Sequence, residues 1–354
     1  MKEKHINMKK TSFFFAAGII ILTCITLIFD KKLYPMARKI YNLSSGSSSG
    51  SSKKTSAYKF STTARVRALY MDKESDGNLI IGNTGREDEF INFLTANDFN
   101  TVYAYDLNTS LGNNQGRLNV AAFVERLHGL SISIFAVGGS ATYLTNPTVI
   151  NSRVYYQNQM TTLGRPLAKF DGLNLENEAW RYPSSGTVTW TEWQSIITGM
   201  KAYTVPNLIK TDAYIGNLID KENKKTESQL ARFIVNNCDD IEMHCYMNST
   251  KALTTDAFYN YILKRLSAIG LEAMKLNKRY KVRVIFSASP GKVVDGQTVE
   301  IHMFDYFKTR TIQYAYTQLI NSLNKYDWPG KAGIDMDGLT GYAFQDLKAA
   351  YAFH

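Results

Sequence analysis

Eight short runs rich in β-branched and aromatic residues recur between Arg65 and Gln345, separated by longer segments of helical period. They are RVRALYM (65–71), TVYAYDL (101–107), SISIFAV (131–137), GLNLENE (172–178), LIKTDAYI (208–215), DIEMHCYM (240–247), KVRVIFSAS (281–289) and LTGYAFQ (339–345). Between them lie helical candidates such as EDEFINFLTAN, NVAAFVERLHG, ESQLARFIVNN and YFKTRTIQYAYTQLINSL. Strands that alternate with helices pair in parallel, because each crossover returns the chain to the same end of the sheet. Eight such repeats in about 300 residues predict an α/β (β/α)8 TIM barrel. A doubly wound open sheet is the competing fold, but the first strand-helix turn has no GxGxxG phosphate fingerprint.

The segment ahead of the repeats divides by composition. Residues 1–10 are a short basic tail, and 11–29 (TSFFFAAGIIILTCITLIF) carry no charge over nineteen residues, just enough to span a hydrocarbon core as a transmembrane anchor or signal segment. No Ala-x-Ala exit follows, which favours an uncleaved anchor with the barrel exported to a cell surface, periplasm or lumen; cleavage would make the protein secreted. Residues 30–57 read as a linker whose 44–56 stretch is Ser/Gly-rich with nothing to bury. The barrel domain is expected over 58–354.

The 41 Lys and Arg residues exceed the 31 Asp and Glu by ten, but residues 1–56 hold ten basic and two acidic ones. The remainder is nearly neutral, at +2, so the electrostatic basis for a nucleic-acid partner is missing from the folded part. Cys24, Cys238 and Cys245 fit neither a disulfide framework nor a zinc pattern, and the latter two read as buried thiols. The five histidines have no metal-ligand spacing and no nucleotide, haem or flavin motif is present, so no metal or cofactor is expected. His244 reads as a satisfied core histidine, with a supporting role beside Tyr246 as the alternative.

In a TIM barrel the chemistry lies at the carboxyl ends of the strands. The stretch DGLNLENEAW, Asp171 to Trp180, places Asn174, Glu176 and Glu178 on one face of the fourth strand at period two, with Leu173 and Leu175 on the other. Glu178 is expected uppermost inside the barrel. Two carboxylates so close couple, raising one toward the general-acid range. Trp180 follows as a sugar-stacking candidate, and Tyr105, Tyr143, Tyr182, Tyr214 and Tyr246 complete a possible aromatic lining.

DGLNLENE resembles the fourth-strand signature D-G-x-D-x-D-x-E of family 18 glycoside hydrolases, the chitinases and endo-β-N-acetylglucosaminidases. Asp171 and Gly172 match, Glu178 falls on the catalytic acid, Glu176 replaces the last aspartate and Asn174 the middle one. AVGG (136–139) is similar to the family's third-strand S-x-G-G, with Ala136 for serine. Tyr246 sits at the tyrosine of M-x-Y-D, with Met247 at its aspartate, while Tyr342 and Phe344 stand where the last strand usually has tryptophan. The resemblance implies substrate-assisted retaining cleavage of β-1,4 linkages next to N-acetylated amino sugars, in chitin, peptidoglycan or an N-glycan core. Glu178 would be the general acid/base, Glu176 the residue holding the acetamido group and Tyr246 a third catalytic residue. Asn174, Trp180, Tyr105, Tyr214 and Tyr342 would bind a glycan containing N-acetylglucosamine. A two-glutamate retaining mechanism, suggested by Asn177-Glu178, needs a glutamate at the end of strand seven, and FSASPGKV (286–293) has none. The third reading is a glycan-binding barrel without turnover.

Overall fold

The computed structural model describes residues 58–71, 79–105, 107–138, 148–184, 187–246, 256–294 and 297–354. The apolar segment 11–29, the linker 30–57, Tyr143, Gly139 and Met247 lie outside them. Among the described residues no helix is long and apolar enough to cross a membrane.

The barrel strands are β1 (Val66–Met71), β2 (Thr101–Ala104), β3 (Ser133–Gly138), β4 (Gly172–Leu175), β5 (Lys210–Ile215), β6 (Asp240–His244) and β7 (Tyr280–Ser287). A hairpin of β8 (Pro290–Val294) and β9 (Gln297–Ile301) interrupts the alternation before β10 (Ile334–Tyr342) closes the barrel against β1. All eight barrel pairings are parallel. Closure leaves the barrel sheet itself no free edge, and the (β/α)8 expectation holds.

Among the described residues eight longer helices wrap the sheet, Thr84–Ala96, Asn114–Gly129, Thr148–Thr162, Trp190–Thr204, Glu227–Asn237, Asp256–Lys275, Ile312–Lys325 and Phe344–Tyr351. Five of the starts are fixed by short polar side chains, those of Asn83, Asn113, Thr189, Thr226 and Thr311. Thr189 with Glu192, and Thr226 with Gln229, form reciprocal capping boxes that satisfy backbone donors the first turn would otherwise leave open. In Asn114–Gly129, Val120, Val124 and Leu127 recur at helical spacing and are fully buried.

Several boundaries differ from those read in the sequence. The fourth strand ends at Leu175, not Glu178, because the chain turns there into a 3-10 turn at Ala179–Arg181. The last strand runs from Ile334 to Tyr342 rather than 339–345, and Phe344 opens the final helix. Asp335 and Asp337 make its first half resemble a loop, but Arg65 and Arg279 pair with Asp335, and Arg65 with Asp337. The segment read as one helix over 306–323 is broken between Phe307 and Ile312, where Thr311 caps the second part. Cys238 and Cys245 are buried free thiols, as expected.

Candidate active site

Residues paired across parallel strands point to the same side of the sheet, so the register fixes which side chains enter the interior, and height along the barrel orders them into tiers. The lowest tier centres on Arg283. Its guanidinium contacts Asp212 (3.1 Å), Asp240 and the Tyr103 hydroxyl, and all four residues are buried. The Tyr103 hydroxyl also donates to Asp212 at 2.6 Å. Gly172 belongs here because a Cβ would stand 2.5 Å from the Phe135 ring and 2.9 Å from the Lys210 carbonyl.

Glu242 organises the tier above. Tyr70 Oη donates to Glu242 Oε2 at 2.9 Å, Asn174 Nδ2 to the same oxygen at 3.2 Å, and Thr340 Oγ1 to Oε1 at 3.0 Å. Burial and the neighbouring Asp212 push the Glu242 carboxyl up to about 8. Burial and Asp240 likewise raise Asp212, whereas at Asp240 burial is outweighed by Arg283 and Lys210, which pull it down. Three carboxyls facing one guanidinium cannot all stay ionised out of water. None of Tyr70, Asp212, Glu242 or Arg283 was singled out from the sequence, although polar residues at period two in DIEMH and YKVRV carry the signal.

The uppermost tier, at the carboxyl ends, is the candidate site. Glu176 is anchored by its backbone N–H to the Gly138 carbonyl at 2.9 Å, and Tyr342 Oη donates to Glu176 Oε1 at 3.3 Å. Its Oε2 is buried and has no hydrogen-bond partner among the described residues. Burial, reinforced by the Glu178 carboxylate, pushes Glu176 up to about 8 against the opposing Tyr342 hydrogen bond. The expected coupling is present, but the residue it raises is Glu176. Glu178 has left the strand: its side chain is 28% exposed and paired with Arg181 at 2.6 Å, so it is not the uppermost inward residue the period-two reading placed there.

Tyrosines close the rest of the tier. The Tyr246 ring lies 5.5 Å from Tyr342 and 6.4 Å from Tyr214, and the Tyr342 ring lies 5.2 Å from Tyr70 below it. The Glu176 carboxyl, then burial and Tyr214 and Tyr105, drive the Tyr342 hydroxyl well above its ordinary range. Tyr105 is therefore electrostatically close to the same cluster. Asn174 is one tier lower, buried between Tyr70 and Glu242. The structure thus brings together Glu176, Tyr246, Tyr214, Tyr342 and Tyr105, with Glu178 beside them and Asn174 beneath.

Trp180 does not offer an open stacking face. It is 6% exposed, its ring sits where a Cβ on Gly216 would lie 2.3 Å away, and it packs 5.5 Å from Tyr214. The motif's other positions are structural too. Asp171 accepts from the Ile134 N–H (2.7 Å) and contacts His128 Nε2 (3.0 Å) at the far end of the strand. Ala136 registers with Leu173 and so faces the helices, while Val137 is the residue beside Asn174.

No family model and no curated protein sequence matches the chain. Among solved structures it is similar to a GH18 chitinase from Pseudoalteromonas aurantia, at 9% identity over 82% of this chain and 100% of that one, with a TM-score of 0.44. It is also similar to the Ostrinia furnacalis Group IV chitinase in complex with allosamidin, at 11% identity over 80% and 92%, with a TM-score of 0.46. A Streptomyces cattleya GH5_18 protein in complex with Manb1-4GlcNAc matches at 10% identity over 79% and 71%, with a TM-score of 0.49. All three are distant resemblances of fold.

Proposed function

We propose that the barrel is a glycoside hydrolase cleaving β-1,4 linkages next to an N-acetylated amino sugar by substrate-assisted retention. The observation that carries this is the coupled pair Glu176 and Glu178 at the end of β4. One carboxyl is buried with an open oxygen, and the other is at the rim within reach of solvent and Arg181. Glu178 protonates the glycosidic oxygen as the bond to the leaving group breaks. The substrate's own acetamido oxygen attacks the anomeric carbon, forming an oxazolinium ion that water then opens, which is why no second nucleophilic carboxylate is needed. Glu176 Oε2 accepts from the acetamido N–H, and in its ionised form it offsets the positive charge that develops. Such preorganised charge is typically worth about 10²–10³ in rate.

Turnover needs Glu176 ionised and Glu178 protonated, one proton between the two carboxyls, so kcat/KM should fall as pH rises past about 8, where the pair loses that proton. Full-length protein assayed on chito-oligosaccharides should release products of retained anomeric configuration, and Glu178→Gln should lose turnover while still binding. A Glu176→Gln variant that keeps wild-type turnover would show that the ionised Glu176 is not needed and overturn the assigned roles.

A second reading, glycan binding without turnover, is favoured by the Glu178–Arg181 pair, which occupies the proposed acid in an ion pair. It is carried if both wild type and Glu178→Gln bind chito-oligosaccharide and neither releases product. The membrane anchor at 11–29 and the exported location remain part of this proposal, placing the domain at a surface where polymeric glycan is met.

A further inference from the structure

His244 was expected to be a satisfied core histidine, and its surroundings are otherwise. It follows Glu242 at period two on β6, so it points into the barrel one tier higher, level with the candidate site. The Tyr246 ring stands edge-on to it at 3.7 Å and the Tyr214 ring lies 5.6 Å away. Neither ring nitrogen, both of them buried, has a hydrogen-bond partner among the described residues. Burying such a group without a hydrogen bond is costly, and native proteins rarely tolerate it without a purpose.

The second observation is where the vacancy lies. Tyr246, which touches His244, also feels the Glu176 carboxyl, whose Oε2 is likewise unpartnered. Two unsatisfied groups, one just past β4 and one on β6, therefore lie beside the tyrosines of β5 and β10. From this we propose that His244 is a substrate-contacting specificity residue of the same site, hydrogen-bonding an uncharged sugar through its ring nitrogens; the inference rests on the glycosidase reading. Burial, then Arg265, His302 and Arg181, hold the imidazole neutral, so it presents one N–H donor and one lone pair. A hydroxyl complements either nitrogen.

The test measures chitotriose (all units N-acetylated) against full-length protein by calorimetry in a Glu178→Gln background and by turnover in the wild type. His244→Leu should weaken binding about tenfold and raise KM by a similar factor with kcat nearly unchanged. His244→Gln, which keeps a donor and an acceptor without a charge, should restore most of the affinity. The imidazole nitrogen resonances of unsubstituted His244 should shift on adding chitotriose, a readout that holds even if His244→Leu does not fold. Equal affinity of His244→Leu and its parent, or unmoved resonances under saturating ligand, would overturn the contact while leaving hydrolysis standing. His244-dependent binding without product supports the contact and removes the hydrolytic reading, whereas no binding by any form overturns both.

Discussion

The carboxyl of Glu176 sets a conflict between stability and use. In the unfolded chain a glutamate releases its proton near pH 4.3, whereas in the barrel it keeps it until about 8. Between those values the folded state binds a proton that the unfolded state has lost, so stability falls as pH rises, by up to about 1.4 kcal/mol per pH unit for this one group. Glu176→Gln, a neutral mimic of the protonated acid, should match the wild type near pH 4 in urea melts. Its advantage should grow toward pH 8 and then level off; a difference that does not change with pH would remove the buried titration. The chemistry at Glu176 was legible as a coupled carboxylate pair in the sequence, but its partition was not. Which member is buried depends on the strand ending at Leu175, and period-two reasoning carries past that point with nothing to stop it.

At the scale of the element, β4 shows how a short strand is held in place by what its neighbours cannot yield. Gly172 sits against the Phe135 ring and the Lys210 carbonyl, so Gly172→Ala forces a Cβ into 2.5 Å contact with an aromatic carbon. Such overpacking should cost about 1–3 kcal/mol in a denaturant midpoint. An unchanged midpoint would mean that Phe135 moves freely. The glycine of the fourth-strand motif is thus a packing residue, and Asp171 before it ties β4 to β3 through the Ile134 N–H. Strand count and order were legible because each strand alternates or is wholly apolar for four or more residues. The β8–β9 hairpin was not: the seventh strand is read only to 289, and the short polar runs Pro290–Val294 and Gln297–Ile301 beyond it carry no strong strand signal. Nor was the first half of β10, whose aspartates are explained only by arginines distant in sequence.

For the whole molecule, the barrel interior departs from the branched aliphatic filling usual for this architecture. Arg283 with Asp212, Asp240 and Glu242 forms a buried charged centre on which Tyr103, Tyr70 and Asn174 depend. Arg283→Met should destabilise the protein by about 3–5 kcal/mol at neutral pH, because it removes the cation facing Asp212 and Glu242 and leaves Asp240 only Lys210. The loss should shrink as pH falls and those carboxyls protonate; a loss independent of pH would mean the guanidinium acts by volume alone. The same column of rings has an optical consequence. Tyr103, Tyr70, Tyr342, Tyr246 and Tyr214 follow one another at 4.9, 5.2, 5.5 and 6.4 Å between centroids, and Tyr214 lies 5.5 Å from Trp180. Excitation absorbed by these phenols passes by resonance transfer to the indole at the end, so the fluorescence of Trp180, itself locked on Gly216, is a built-in reporter of what enters the mouth of the barrel.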